Sequence, residues 1–277
     1  METVSNIIPF FRKELDSIFE DREVVSLAYL SVKHLLGYNR SDCIIHANKS
    51  IDVKISNEFK HIIMNLKTKK PLQYILGETE FYGLKLKLNA DTLIPRPETE
   101  EMVDWVLKES FKSALDIGTG SGCIAIALAK YSNANISAID ISIDALKIAK
   151  ENAIFNDVKV AFTQEDIFQI ETLAKVDLIV SNPPYVLDSE KAKIKENVLE
   201  YEPHLALFVS NKNPLVFYKK ITDLATKSLR SQGKLFFEIN EQFSNELIAL
   251  LAQKGFVDIE LKKDINDRDR MIKAIWK

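Results

Sequence analysis

Cysteine is scarce in this chain: among 277 residues there are only Cys43 and Cys123, far apart. Such a pair has neither metal-type spacing nor the density of a disulfide framework, so no metal site is expected and a reducing cytoplasm is the expected location. Long apolar runs are missing too. Nothing approaches the roughly eighteen uninterrupted apolar residues of a membrane span, and Met1 to Arg12 lacks the apolar core and small-residue cleavage site of a leader. Secretion and membrane insertion are therefore not expected. A charge excess is also lacking. The net charge of −3 gives no blanket attraction for polyanions, which argues against non-specific nucleic-acid binding. The cluster Lys67, Lys69, Lys70 is either a local basic patch or a solvated helix end.

Glycine is unevenly spread. Between residues 4 and 69 only Gly37 occurs, while three of the chain's eight glycines fall between positions 118 and 122. The glycine-poor front carries apolar residues at helical spacing, as in Ile7, Phe10, Phe11, Leu15, Ile18, Phe19 and Val24, Leu27, Ala28, Leu30, Leu35. This pattern predicts a small helical domain over residues 1–70. From Pro71 the texture changes. Phe81 to Leu88 alternates with period two around Gly83, which predicts a hairpin inside a linker over 71–95.

Residues 96–277 begin with a predicted helix from Pro97 to about Ser110, with proline at its start and acids in its first turn. Strands and helices then alternate. Strands are predicted over Ser113–Ile117, Ile136–Asp140, Val158–Phe162, Val176–Ser181, Lys234–Ile239, Val257–Leu261 and Met271–Trp276. The intervening helices fall over Cys123–Tyr131, Ser142–Phe155, Leu215–Leu229 and Phe243–Ala252. Strands this continuously apolar predict an α/β fold with a mostly parallel sheet covered on both faces.

The glycine cluster, Gly118-Thr119-Gly120-Ser121-Gly122, sits where the first parallel strand hands over to a helix, the place where open α/β sheets bind ligands. Its Gly-x-Gly-x-Gly spacing is neither the dinucleotide fingerprint nor a Walker loop. Asp116 ends the preceding strand, so a pyrophosphate would be repelled and a cationic sulfonium or ammonium attracted. Asp140 ends the second strand, where a carboxylate can accept both hydroxyls of a ribose. After the third strand come Asp166, suited to an adenine amino group, and Phe168, which is either a stacking surface or a core residue. The alternative for the whole loop is a tight turn with acidic caps.

The fourth strand runs into Asn182-Pro183-Pro184-Tyr185. Each proline holds the residue before it extended and has no N–H to donate. The Asn182 side-chain oxygen and the Pro183 carbonyl can then accept both hydrogens of one N–H₂ group, with the Tyr185 ring lying against that planar group. An amide nitrogen is a poor nucleophile because its lone pair is delocalised. Accepting both hydrogens returns density to it and aims it, so positioning and fixed dipoles supply the rate. The alternative is a proline turn in which Asn182 is only a turn residue.

With these motifs, the chain resembles the N5-glutamine methyltransferases that modify peptide chain release factors. The resemblance extends to Pro71-Leu72-Gln73-Tyr74-Ile75-Leu76-Gly77, Phe81-Tyr82-Gly83, Ile94-Pro95-Arg96-Pro97-Glu98-Thr99-Glu100, Tyr201-Glu202-Pro203-His204-Leu205-Ala206-Leu207 and Asp267-Arg268-Asp269-Arg270. It implies a class I, Rossmann-like methyltransferase domain with a seven-stranded sheet, and a helical front that helps dock the factor. It further implies S-adenosyl-L-methionine as donor and the glutamine of the Gly-Gly-Gln loop of class 1 release factors as acceptor. Carried over by position, Gly118, Thr119, Gly120, Ser121, Gly122, Asp140, Phe168 and Asn182 are expected to contact the cofactor. Asn182, Pro183, Pro184 and Tyr185 are expected to bind the glutamine, with Asn182, Pro183 and Tyr185 carrying the catalysis. Phe168 stands where some relatives have tryptophan, and any indole N–H bond is lost there.

The expected molecule is a cytoplasmic monomer acting on protein, without nucleic acid or membrane. The Asn-Pro-Pro-Tyr motif is shared with adenine-N6 methyltransferases. Three other functions therefore stay open: glutamine methylation of a ribosomal protein, adenine methylation of nucleic acid, and a non-catalytic scaffold that binds the cofactor and a translation factor. Arg96 and Glu98 read as shaping the site entrance or as a charge-paired helix start, and Glu202 and His204 as placing substrate or ordering a loop. His34, His46 and His61 are expected to be packed or solvated, and Asp267 to Arg270 to form a salt-bridged turn between the last two strands.

Overall fold

The structure, a computed structural model, describes residues 2–277. The chain divides into two compact units, residues 1–77 with 196–201, and residues 78–195 with 202–277.

The first unit is helical: α1 (Ile7–Leu15), α2 (Asp21–Leu36), α3 (Arg40–Ile45), α4 (Val53–Leu66) and α5 (Leu72–Leu76). The sequence sets these limits locally. In α2, Asp21 and Glu23 lie in the first turn and Lys33 and His34 in the last, matching the helix dipole. Gly37 then ends the helix in the left-handed conformation. The apolar stripes of these helices meet in one core of Ile7, Phe11, Leu15, Val24, Ala28, Phe59, Ile62 and Leu66, with the Phe11 and Phe59 rings edge to face at 6.1 Å. The later short helix α9 (Glu196–Tyr201) belongs to this unit. Tyr201 Oη donates to the Thr68 carbonyl at 2.9 Å, and Lys69 pairs with Glu196.

The second unit opens with a hairpin of β1 (Glu78–Phe81) and β2 (Leu84–Lys87), joined by Tyr82 and Gly83. Then come α6 (Pro97–Leu107), β3 (Ser113–Ile117), α7 (Cys123–Tyr131), β4 (Asn135–Asp140), α8 (Ile143–Phe155), β5 (Val160–Gln164) and β6 (Val176–Ser181). After short β7 (Val186–Leu187), α10 (His204–Leu207) and β8 (Phe208–Val209) the chain continues with α11 (Val216–Ser228), β9 (Leu229–Glu238), α12 (Ser244–Gln253), β10 (Phe256–Lys263) and β11 (Asp269–Trp276). Seven strands form one sheet in the order β10-β11-β9-β6-β3-β4-β5. The run from β9 to β5 is parallel, and β11 is antiparallel to both its neighbours.

Alternation along the central strands feeds two cores. Ala114, Leu178, Val180 and Phe236 pack with Met102, Val103 and Val106 of α6 and with the apolar residues of α7. Leu115, Ile117, Ile179, Leu235 and Phe237 face Tyr218, Ile221 and Ala225 of α11 and Leu247 and Leu251 of α12. Burial on both faces explains the near-continuous apolar strands.

Most strand limits other than those of β3 and β6 differ from the sequence expectation by one or two residues, as at the starts of β4 and β11 and at both ends of β10; the starts of β5 and β9 differ for identifiable reasons. β5 starts at Val160 rather than Val158, because Asp157 takes φ +54° and Val158 N–H caps α8 by donating to the Ala153 carbonyl. β9 starts at Leu229 rather than Lys234. Its ladder to β6 shifts register between Val176↔Leu229 and Leu178↔Lys234, a bulge that no side-chain pattern announces. The Asp264–Arg268 turn joins β10 and β11, and Arg270 of β11 pairs with buried Asp264 at 3.2 Å. Among the described residues no helix is long and apolar enough to cross a membrane.

Candidate methyl-transfer site

Beyond the carboxyl ends of β3, β4 and β6 lies a cavity of about 430 Å³ within the second unit. Every residue from Gly118 to Ser121 lines it, as do Asp140, Asp166, Phe168, Asn182, Pro183 and Pro184. Residues far apart in sequence meet here because β3 is flanked by β4 on one side and β6 on the other.

The glycine loop is held from behind. Gly118 N–H and Thr119 N–H both donate to the Ile139 carbonyl, at 2.9 and 3.1 Å, and Gly120 N–H donates to Asp140 Oδ2 at 2.8 Å. These donors serve the protein rather than a phosphate, which sets the loop apart from phosphate-cradling turns. Gly118 has φ +75°, and a Cβ built there would meet no atom within 4 Å, so bare backbone faces the cavity. Gly122 differs. At φ +83° it packs the loop onto α8, and a Cβ there would stand 2.9 Å from Ile126 Cδ1 and 3.1 Å from Ala149 Cβ.

Asp140 closes the second strand and reaches the cavity wall. Its Oδ2 accepts from Gly120 N–H and its Oδ1 from Ser142 N–H at 2.9 Å. Burial raises its carboxyl above the ordinary range, while those backbone N–H groups oppose the rise. Each oxygen has a second lone pair for a hydroxyl donor. Asp166 Oδ1 accepts from Phe168 N–H at 2.9 Å, which turns the half-exposed Phe168 ring to the cavity beside Phe217 at 5.4 Å.

Asp116 departs from expectation. It does not line the cavity; its carboxylate lies under the loop, where Oδ2 accepts from Thr119 Oγ1 at 2.6 Å and Ala125 N–H at 3.3 Å. Complete burial pushes the carboxyl up to about 7, so it is a brace for the loop and only in part a negative charge at neutral pH. Cys123 at the wall has its thiol pushed up to about 12 by burial and by the Asp116 charge, which leaves it unfit as a nucleophile.

At the end of β6, Asn182, Pro183 and Pro184 line the cavity, whereas Tyr185 does not. Its ring turns into the body of the unit. Tyr185 Oη donates to Glu238 Oε1 at 3.1 Å, Asn240 Nδ2 donates to the Tyr185 carbonyl at 3.2 Å, and the Arg270 guanidinium lies 6.0 Å from the ring centre. Burial, then the Glu238 charge, raise the phenol far above its usual value. Direct cover of a planar group by Tyr185, expected from the sequence, is thus replaced by support of the turn from behind.

Two residues that the motif reading passed over stand here. Thr99 of α6 lines the cavity and accepts from Asn182 Nδ2 at 3.3 Å; its own Oγ1 donates to Glu238 Oε2 at 2.6 Å. Glu238 ends β9, fully buried, with burial raising its carboxyl. The available signal was one acid at the close of the apolar run Leu235-Phe236-Phe237, a charge that must find partners indoors. Glu202 accepts from Arg96 Nη2 at 2.7 Å and Ile94 N–H at 3.2 Å, so it orders the 94–96 segment; Arg96 reaches the cavity and Glu98 does not. His204 also stays off the cavity wall, and His34, His46 and His61 are exposed on the first unit. No cluster of His, Cys, Asp and Glu able to hold a metal ion exists among the described residues.

A parallel sheet of this order with one antiparallel strand, a glycine loop after its central strand and acids after the next two define a Rossmann-like methyltransferase. Family models agree: residues 98–205 match the methyltransferase small domain and residues 12–77 the PrmC N-terminal domain. The chain is 47% identical to the release factor glutamine methyltransferase of Flavobacterium psychrophilum over 98% of both chains. It is 39% identical to the enzyme of that name from Bacteroides thetaiotaomicron, over 98% of this chain and 99% of that one. The chain therefore belongs to the release factor glutamine methyltransferase family. Among solved structures, a methyltransferase from Pyrococcus furiosus shares the fold, with a TM-score of 0.54 at 18% identity, covering 79% of this chain and 98% of that one.

Proposed function

We propose that this protein transfers a methyl group from S-adenosyl-L-methionine to the side-chain amide N5 of the glutamine in the Gly-Gly-Gln loop of class 1 peptide chain release factors. The observation that carries the reading is the meeting of the glycine loop and the Asn182–Pro184 turn in one cavity. The names of the full-length relatives support the choice of substrate.

The cavity fits this cofactor. Bare backbone at Gly118, the Asp140 carboxylate with lone pairs to spare, and Asp166 beside the Phe168 ring suit an aminoacyl chain, a ribose and an adenine in turn. When bound, the cofactor supplies a methyl group activated by the neighbouring sulfonium. The chain's own residues bind and aim the acceptor. Asn182 Oδ1 and the Pro183 carbonyl accept the two amide hydrogens, raise density on nitrogen and hold it in line. Pro183 and Pro184 carry no N–H that would compete for those acceptors. Tyr185 steadies the turn through Glu238.

The protein is read as cytoplasmic and as taking no nucleic acid, supported by two unpaired cysteines and by the net charge of −3; a monomer is the proposed state. The test is to incubate the protein with methyl-labelled cofactor and either release factor, ribosomal protein or nucleic acid. Mass spectrometry should place one methyl on the Gly-Gly-Gln glutamine. Label in DNA, RNA or ribosomal protein but none in release factor would overturn the reading.

A further inference from the structure

An amide side chain presents an acceptor on one side and a donor on the other, and the two differ only by a flip about the last side-chain bond. Accepting the glutamine N–H₂ hydrogens, the role proposed for Asn182, needs its side-chain oxygen turned to the cavity, and nothing in residues 182 to 185 themselves enforces that choice. Enforcement comes from elsewhere in the unit. Thr99 Oγ1 has one hydrogen, and at 2.6 Å from Glu238 Oε2 it is already given away. Toward Asn182, 3.3 Å away, Thr99 can therefore only accept. The atom facing it must be the Asn182 amino nitrogen, which leaves Oδ1 turned away from Thr99.

The second oxygen of Glu238, Oε1, accepts from Tyr185 at 3.1 Å, so one buried carboxylate holds the Tyr185 end of the turn directly and the Asn182 end through Thr99. Its own position is fixed because its residue pairs in the ladder with Met271 and its carbonyl accepts from Tyr218 Oη at 3.0 Å. Complete enclosure excludes water that would otherwise substitute for either partner.

We propose that Glu238 and Thr99 are positioning residues that set the polarity of the Asn182 carboxamide, passing the acceptor-only character of a buried carboxylate through one hydroxyl so that Asn182 Oδ1 faces the substrate amide. This rests on the proposed role of Asn182 toward the glutamine N–H₂ group. Without the relay, the flipped amide would meet that group donor to donor and repel it.

The test uses the full-length protein, labelled S-adenosyl-L-methionine and release factor, with cofactor affinity read separately by calorimetry. Thr99→Val keeps the shape but removes the hydroxyl. It should lower kcat at least about tenfold while leaving the Kd for cofactor within about twofold, and Thr99→Ser should recover kcat to within about threefold of wild type. Glu238→Gln can donate toward Thr99 and release its hydrogen toward Asn182, so it should lower kcat comparably. Combining it with Thr99→Val should add little, since both break one relay. Should Thr99→Val not fold, Glu238→Gln measured alone carries the same expectation.

Wild-type kcat in Thr99→Val or Glu238→Gln would overturn the relay, as would a Thr99→Ser protein that binds cofactor yet is as slow as Thr99→Val. A wild-type protein that leaves the glutamine unmethylated would sink the functional reading itself, and the relay with it.

Discussion

Two turns at the carboxyl edge of the same sheet face one cavity and are built in opposite ways. The loop after β3 works by lacking side chains: its glycines bring backbone to the cavity, and its N–H groups are tied back to Ile139 and Asp140 on the neighbouring strand. The turn after β6 works through a side chain, Asn182, whose orientation depends on Thr99 from α6 and Glu238 from β9. A surface of fixed backbone suits a ligand that must be held, since its shape is set by the fold alone. A hydrogen-bond acceptor aimed at a reacting nitrogen must be held in one of two states, and a buried relay is what distinguishes them.

This contrast predicts separable defects. The largest falls on the second turn: Asn182→Ala should reduce methyl transfer by about 10²- to 10³-fold, the scale of losing one aimed group at the reacting centre, while cofactor affinity changes little. Single-turnover kinetics with calorimetry would show it; a loss of affinity equal to the loss of rate would erase the division between the two turns. Next comes Gly122→Ala, where a new Cβ meets Ile126 and Ala149 at a left-handed φ. Overpacking and backbone strain together should cost about 2–4 kcal/mol in denaturant unfolding, against about 1–2 kcal/mol for Gly118→Ala, which has strain but open space. Equal costs would mean that the loop is not pinned to α8.

Asp140→Ala removes acceptors from both the ribose and the Gly120 N–H, and should weaken cofactor binding by roughly ten- to a hundredfold in calorimetry without a matching change in kcat at saturation. An unaltered affinity would remove Asp140 from the cofactor half. A last prediction concerns the brace beneath the loop. The Asp116 carboxyl is raised by burial from 3.8 to about 7, so the folded state holds its proton more tightly than the unfolded chain. Its contribution is then fully present below the unfolded value and is lost as pH climbs through the folded one. Relative to Asp116→Asn, wild-type stability should fall as pH rises across that window. A pH-independent difference in Tm would show that Asp116 keeps its ordinary titration.

The same contrast explains what could be read in advance. The glycine loop, Asp140 and the helix and strand succession follow from spacing, because each depends on neighbours within a few residues, and β3, α7 and β6 have the limits their patterns predict. The start of β9 and the beginning of β5 were not legible, one set by a bulge against β6 and the other by the cap of α8. The side-chain directions of Tyr185 and Asp116 do not follow from spacing, for a shared reason. Spacing says that a residue stands at a strand end, but packing decides whether its side chain turns to the cavity or under it.

By itself the sequence determined the class of chain: a helical front, an alternating α/β body, a glycine loop without phosphate chemistry, and an acceptor turn stiffened by two prolines. Those properties are local, encoded in period, backbone permissiveness and the missing N–H of proline. Only the tertiary structure decided that Glu238, more than fifty residues beyond Tyr185, would hold one end of that turn directly and the other through Thr99. A buried carboxylate is stable only where folding brings donors to it, and which donors those are is fixed by the order of strands in the sheet rather than by their order in the chain.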